Sequence, residues 1–203
     1  MFGTKAERDK MVAIKSHKDP RDEKIPSKKG EIYKNIALIY VQQGKNDEAK
    51  KSLSEARVAN PDDTSLAMAE ADMYLKLEDY TMYKKIVTEV LDKNPNDADL
   101  LYNLGVISSK TNGVDAEAYY KKAIAIKPDY TNAYLNLAIL KLDGEKAIID
   151  EMNKLGTSEK DNKRYEVLKA KREGIFKEAL PYLEKAYQLN PANEDVSATL
   201  LNV

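Results

Sequence analysis

The stretch 119–140, YYKKAIAIKPDYTNAYLNLAIL, sets Pro128 between two segments whose apolar residues recur at helical spacing. A proline pushes the residue before it out of helical geometry, so Pro128 ends the first segment. Pro61 and Pro95 stand in the same kind of place, closing SEARVANP and TEVLDKNP as Pro128 closes KKAIAIKP, at separations of 34 and 33 residues. Proline here punctuates an internal repeat of helical units.

Composition agrees with a helical array. The chain has 203 residues, 42% hydrophobic and 33% charged, enough for one sizeable core or one elongated stack. Lys plus Arg number 33 against 34 for Asp plus Glu, and this balance does not mark a nucleic-acid or membrane-surface binder. Cysteine is absent, which removes disulfides, thiolate nucleophiles and Cys-bearing zinc sites. No apolar run approaches the roughly 20 residues that cross a bilayer. MFGTKAERDK has no apolar h-region and reads as lacking a signal peptide.

Counting each proline as position 32, the first unit carries Tyr33 at 4, Ile36 at 7, Ala37 at 8, Tyr40 at 11, Ala49 at 20, Leu53 at 24 and Ala56 at 27. The third carries Leu101, Leu104, Gly105, Ala116, Tyr120 and Ala123, with a one-residue deletion near Asn112 and Gly113, and a fourth first helix carries Tyr134, Leu137 and Ala138. Small residues at 8, 20 and 27 let two helices approach closely, and the large ones fill the space between. This pattern resembles the tetratricopeptide repeat, a 34-residue helix-turn-helix. The resemblance implies an all-α fold, a right-handed α-α superhelix of antiparallel helix pairs. The second unit departs most, with Ala67 at 4, Glu70 at 7 and Tyr83 at 20. A carboxylate in a packed seam is costly unless hydrogen-bonded. Either the Tyr83 phenol or a neighbouring donor satisfies Glu70, or the helix is rotated and Glu70 is solvated.

The signature returns in KEALPYLEKAYQLNP, with Ala179, Leu183, Ala186 and Pro191, but 63 residues after Pro128. The excess, roughly residues 145–174, is itself helical in pattern. Ile148, Met152 and Leu155 share one face ahead of Gly156 as a C-cap, and Thr157 and Ser158 are N-cap candidates for the next helix. Either a helix runs unbroken from about 159 to 190, with Pro181 removing a backbone donor and kinking it, or a new helix starts near Phe176 and Pro181 falls close to its first turn; Gly174 favours the second. The apolar stripe is buried either on another protein or, as favoured here, on the chain's own solenoid, where residues 145–155 form a shortened second helix of the fourth unit and 159–173 the first helix of a fifth. The expected organisation is a charged segment over 1–28, a short helix from TKAERDKMVAIK (Thr4 and Glu7 at capping-box spacing) plus a loop with Pro20 and Pro26. A repeat domain follows over 29–203, with units at about 30–63, 64–97, 98–130, 131–156 with the insert, and 160–193, then the start of a further helix at 194–203. The wording of the insert is similar to a Bacteroidota subfamily of these repeat proteins with a helical insert in the penultimate repeat. That resemblance implies an exported, periplasmic protein of which this chain is a fragment, with a cytoplasmic one as the alternative.

Catalytic chemistry is not legible. His17, the only histidine, lies in a loop-like stretch and reads as solvated, and there is no phosphate loop, nucleophile elbow or His-Glu-x-x-His motif. Asp62-Asp63 and Asp150-Glu151 are sequence neighbours, which do not share a helix face. No catalytic residue, metal or cofactor is expected, and the chain reads as a non-enzyme.

The resemblance also implies a concave face lined by the first helices, at positions 2, 5, 6, 9, 12 and 13. Position 6 is Asn35, Ala69, Asn103 and Asn136. An amide is both donor and acceptor and so suits a peptide backbone. With first helices roughly 10 Å apart and an extended strand rising ~3.3 Å per residue, one asparagine would meet about every third peptide residue. This resembles the asparagine ladder of peptide-binding members. The carboxylate clamp of other members is absent: Lys34 fits it, but Leu38, Ala69 and Asp99 replace its Asn, Asn and Lys. The expected groove comprises Lys34, Asn35, Leu38, Met68, Asp72, Tyr102, Asn103, Val106, Lys110, Leu135, Asn136 and Ile139, which together suit a partly apolar peptide or protein partner. The expected function is a protein-interaction scaffold, the alternative being a purely structural repeat module of a larger exported protein.

Overall fold

The computed structural model describes residues 4–6, 10, 28–110 and 113–201. His17, Pro20, Pro26, Glu7 and Asn112, singled out above, lie outside them. Among the described residues the chain is all α, without a strand. The first pair is α1, Lys29–Gln42, and α2, Asn46–Ala59; the second is α3, Thr64–Lys76, and α4, Tyr80–Lys93; the third is α5, Ala98–Ser109, and α6, Gly113–Ile126. Then follow α7, Thr131–Lys141, α8, Glu145–Met152, α9, Glu159–Leu189, and α10, Glu194–Leu201.

Local chemistry explains the boundaries. Pro61, Pro95, Pro128 and Pro191 each sit in the tight turn just after a helix. After three of them the next helix is capped by a side chain, Asp63 accepting from the Ser65 amide at 3.0 Å, Asp97 from Leu100 at 3.0 Å and Asn193 from Val196 at 3.1 Å, whereas the helix after Pro128 starts after Tyr130 without a side-chain cap. Gly44 turns the chain between α1 and α2 at φ +73, and the equivalent turn after α3 uses Glu78 at φ 57.

The small-residue seams do what their spacing implies. Ala37, Ala49, Leu53, Leu104, Ala116, Ala123, Leu137 and Ala138 are fully buried. Gly105 is required by contact, because a Cβ there would stand 2.5 Å from the Tyr120 ring. Helices pack within each pair, and each second helix also meets the first helix of the next pair. The result is an α-α solenoid. Ile36 is the exception among the expected seam residues: it stands 37% exposed.

The insert differs from its expected form. Residues 159–189 are one continuous helix, with Gly174 and Pro181 inside it. Gly174 does not adopt the positive φ of a helix stop and touches nothing that a side chain would displace, so it costs only propensity, about 1 kcal/mol. Pro181 is exposed on this helix and forgoes one backbone hydrogen bond. The second correction concerns topology. The partner of α7 is the C-terminal half of α9, through Leu135, Ala138, Leu183 and Ala186, and not residues 145–155. Ala179 and Ala186, both fully buried, permit that close approach, whereas α8 offers Ile148, Ile149 and Met152 at its faces.

The insert is therefore a helical hairpin placed between the two helices of the fourth pair. Here α8 packs on the N-terminal half of α9. Arg164 Nε bonds Glu151 at 2.6 Å and Arg172 bonds Glu145 at 2.8–2.9 Å. That antiparallel register sets Ile148 opposite Leu168, and these are the two buried apolar residues of the hairpin. Ser158 caps α9 through the Asp161 amide at 3.1 Å, as expected, but α8 ends at Met152, so Gly156 is not its C-cap.

Candidate functional site

The residues expected to line a groove fall into two halves. At the first half, α1 and α3 bring Lys34 and Asp72 together as an ion pair, each partly exposed. Leu38 and Met68 are half-buried, and Met68 packs on the main core. Asn35 is exposed, whereas Ala69, at the same position of the second unit, is buried at 3% exposure. The amide row is thus interrupted there by a methyl group that faces the core. Lys110, at the end of α5, is exposed and reaches back to Tyr80, its ammonium 5.0 Å from the ring centroid and 3.4 Å from the hydroxyl.

The second half is built around tyrosines. Tyr102 on α5 lies 4.9 Å from Tyr130 and 6.0 Å from Tyr120, centroid to centroid. Its hydroxyl accepts a 3.0 Å hydrogen bond from the Asn136 amide nitrogen across the α5–α7 boundary. Burial pushes the Tyr120 phenol above its ordinary pKa, partly offset by hydrogen bonding to Ser109 and Asn136. Tyr130 is raised further, by burial and then by donating to the Asp99 carboxylate. The Tyr120 and Tyr130 phenols are therefore neutral hydrogen-bonding groups at any physiological pH.

Between α5, α6 and α7 lies a cleft of about 290 Å3, lined by Val106, Ser109, Tyr120, Asn136, Ile139 and Asp143, with Leu140 at its wall. Three expected groove residues, Val106, Asn136 and Ile139, meet there; Asn103 is exposed nearby on α5. Leu135 does not belong to the surface. It is buried against Leu183 and Val196, because α10 packs over α9 at the position where a groove would need it open. Ser109, Tyr120 and Asp143 escaped the sequence reading. Tyr120 carries a packing signature, and only the bare backbone of Gly105 beneath it lets its edge line the cleft. Among the described residues no cluster of three or more His, Cys, Asp or Glu could hold a metal ion, and no helix is long and apolar enough to cross a membrane.

The second unit answers its own question. Glu70 is buried at 7% exposure and accepts a hydrogen bond from Arg57, the donor supplied by the preceding pair, and not from Tyr83. Arg57 also donates to Glu89 at 3.0 Å. Burial opposes the guanidinium charge, but the two carboxylates outweigh it and hold the Arg57 pKa above its ordinary value.

Comparison with known proteins agrees with this architecture. A family model described as tetratricopeptide repeat matches residues 35–81. The chain is 26% identical over 174 residues to the TPR repeat-containing protein YpiA of Bacillus subtilis (strain 168), covering 85% of this chain and 34% of that protein. It is 28% identical over 121 residues to the protein O-mannosyl-transferase TMTC3 of Homo sapiens, covering 54% of this chain and 13% of that one. It thus spans about a third of one relative and far less of the other. Among solved structures it resembles MamA of Desulfovibrio magneticus RS-1, with a TM-score of 0.57 at 19% identity, covering 87% of this chain and 84% of that one. Residues 35–81 therefore match a tetratricopeptide repeat, and the chain has the fold of a solenoid built from such repeats.

Proposed function

We propose that this chain is a non-enzymatic scaffold that holds a segment of a partner protein along the inner row of its first helices, chiefly over the second half. The observation that carries this reading is the cleft between α5 and α7. It joins apolar walls (Val106, Ile139) to convergent polar groups (Asn136, Ser109, Asp143) beside the exposed amide of Asn103. Such a mixture suits a partly apolar peptide whose backbone needs hydrogen-bond partners. The ladder is shorter than a full row of asparagines: Asn136 already donates to Tyr102, and Ala69 is buried. Asn35 and Asn103 remain the exposed amides. By resemblance the partner would be met in the periplasm.

The test uses cross-linked capture from the native cell with wild type, with Asn103→Ala and with Ile139→Asp. Both replaced groups are exposed, so melting should shift little while captured partner falls. Capture that is unaffected by either substitution would instead support a purely structural module.

A further inference from the structure

The fourth position of the repeat is large in three units, Tyr33, Leu101 and Tyr134, and is Ala67 in the second. Where that missing side chain would lie, among the ends of α2 and α4 and the start of α3, there is a cleft of about 380 Å3. Its floor is apolar: Ala67 and Val90 are each 7% exposed. Its walls carry Arg57, Thr64, Glu89 and Lys93. It is separate from the cleft between α5 and α7 and shares no residue with it.

The wall chemistry narrows what can enter. Arg57 is held on two sides, by Glu70 behind and Glu89 beside it, so its planar guanidinium is presented in a fixed orientation. A fixed guanidinium favours the face of an aromatic ring. The Glu89 side chain is 45% exposed, and a carboxylate can accept a further hydrogen bond beyond the one from Arg57. A purely aliphatic side chain would cover these charged groups without replacing their water. A cationic one would meet Arg57 and Lys93, and a phosphorylated one would meet Glu89 together with Asp63 and Asp92.

The geometry points to a seat for an unmodified tyrosine side chain of a partner protein: the ring on the Ala67–Val90 floor beside Arg57, the phenol donating to Glu89. The partner's tyrosine occupies the space left open over Ala67 between the ends of α2 and α4. Because the site lies apart from the inner row, its use is independent of the groove.

The test is amide chemical-shift titration of the full chain with N-acetyl-tyrosinamide and, in parallel, N-acetyl-phenylalaninamide. Tyrosinamide should shift amides around Ala67 and Val90, and phenylalaninamide should bind more weakly. Ala67→Leu fills the seat and should weaken tyrosinamide about tenfold or more while raising the melting temperature. Ala67→Met serves the same purpose with a more adaptable side chain should leucine disturb the fold. Asn103→Ala should bind tyrosinamide as wild type does. Shifts absent from the Ala67 region, equal binding of the two amides, or undiminished binding to both filled variants would each overturn the assignment.

Discussion

Replacing Arg57 by leucine should destabilise the solenoid more than replacing its buried partner Glu70 by the same residue. In the Arg57→Leu variant the Glu70 carboxylate, 7% exposed, loses the donor that satisfies it. Breaking a buried ion pair from one side costs about 3–5 kcal/mol when the surviving charge stays buried. The Arg57 side chain is 30% exposed, so water can reach part of the site, and the expected loss falls to roughly 2–3 kcal/mol. Glu70→Leu leaves Arg57 paired with Glu89 and partly solvated. It places leucine where Leu104 and Leu137 stand fully buried in the third and fourth units, and should cost under about 1 kcal/mol. The double variant should return most of what Arg57→Leu loses, since neither charge is then stranded. Denaturant unfolding at neutral pH measures all three, and near 200 residues a 2–3 kcal/mol loss lowers the melting temperature by roughly 4–12 °C. Arg57→Leu as stable as wild type, or Glu70→Leu as the more damaging of the two, would refute the argument.

Gly105→Ala should cost about 1–3 kcal/mol, because its Cβ would stand 2.5 Å from the Tyr120 ring, whereas Gly174→Ala, with nothing within 4 Å, should gain about 0.5–1 kcal/mol from helix propensity. Thermal melts of the two variants should move in opposite directions. Excising residues 145–174 and joining Gly144 to Ile175 should leave the helical stack folded, since α7 packs on the C-terminal half of α9 and the hairpin packs on itself. Loss of cooperative unfolding in that variant would show that the hairpin is structural. Glu117, bonded to Lys121 and Lys141, has its carboxyl held below the usual range. Its contribution is therefore present above the unfolded carboxyl pKa and lost as pH falls through the lower folded value. The melting difference between wild type and Glu117→Gln should be constant from neutral pH down to about 4.5 and shrink below it. A difference that instead grows in acid would contradict the assignment.

The first three helix pairs, the stops at their prolines and most of their small-residue seams were legible in the sequence, because each depends on local chemistry. A proline or an aspartate cap acts within a few residues, and an alanine at a seam declares a close approach wherever the partner lies. The same signature in KEALPYLEKAYQLNP, closed by Pro191, 63 residues downstream of Pro128, marked a second helix, although the spacing alone placed it in a fifth unit and not in the fourth. What the chain alone left open was every choice between equally periodic partners. Residues 145–155 and 175–189 are both amphipathic, and only packing assigned α7 to the latter, where Ala179 and Ala186 allow the helices to touch. Likewise the unbroken α9 was decided by its contacts, since Gly174 and Pro181 weaken a helix locally by amounts that packing along its length offsets. Glu70 found its donor 13 residues away on another helix, and Leu135 left the inner row for a buried cluster with Leu183, Ala186 and Val196. Burial and pairing of this kind depend on distances between elements remote along the chain, and tertiary structure alone determined them.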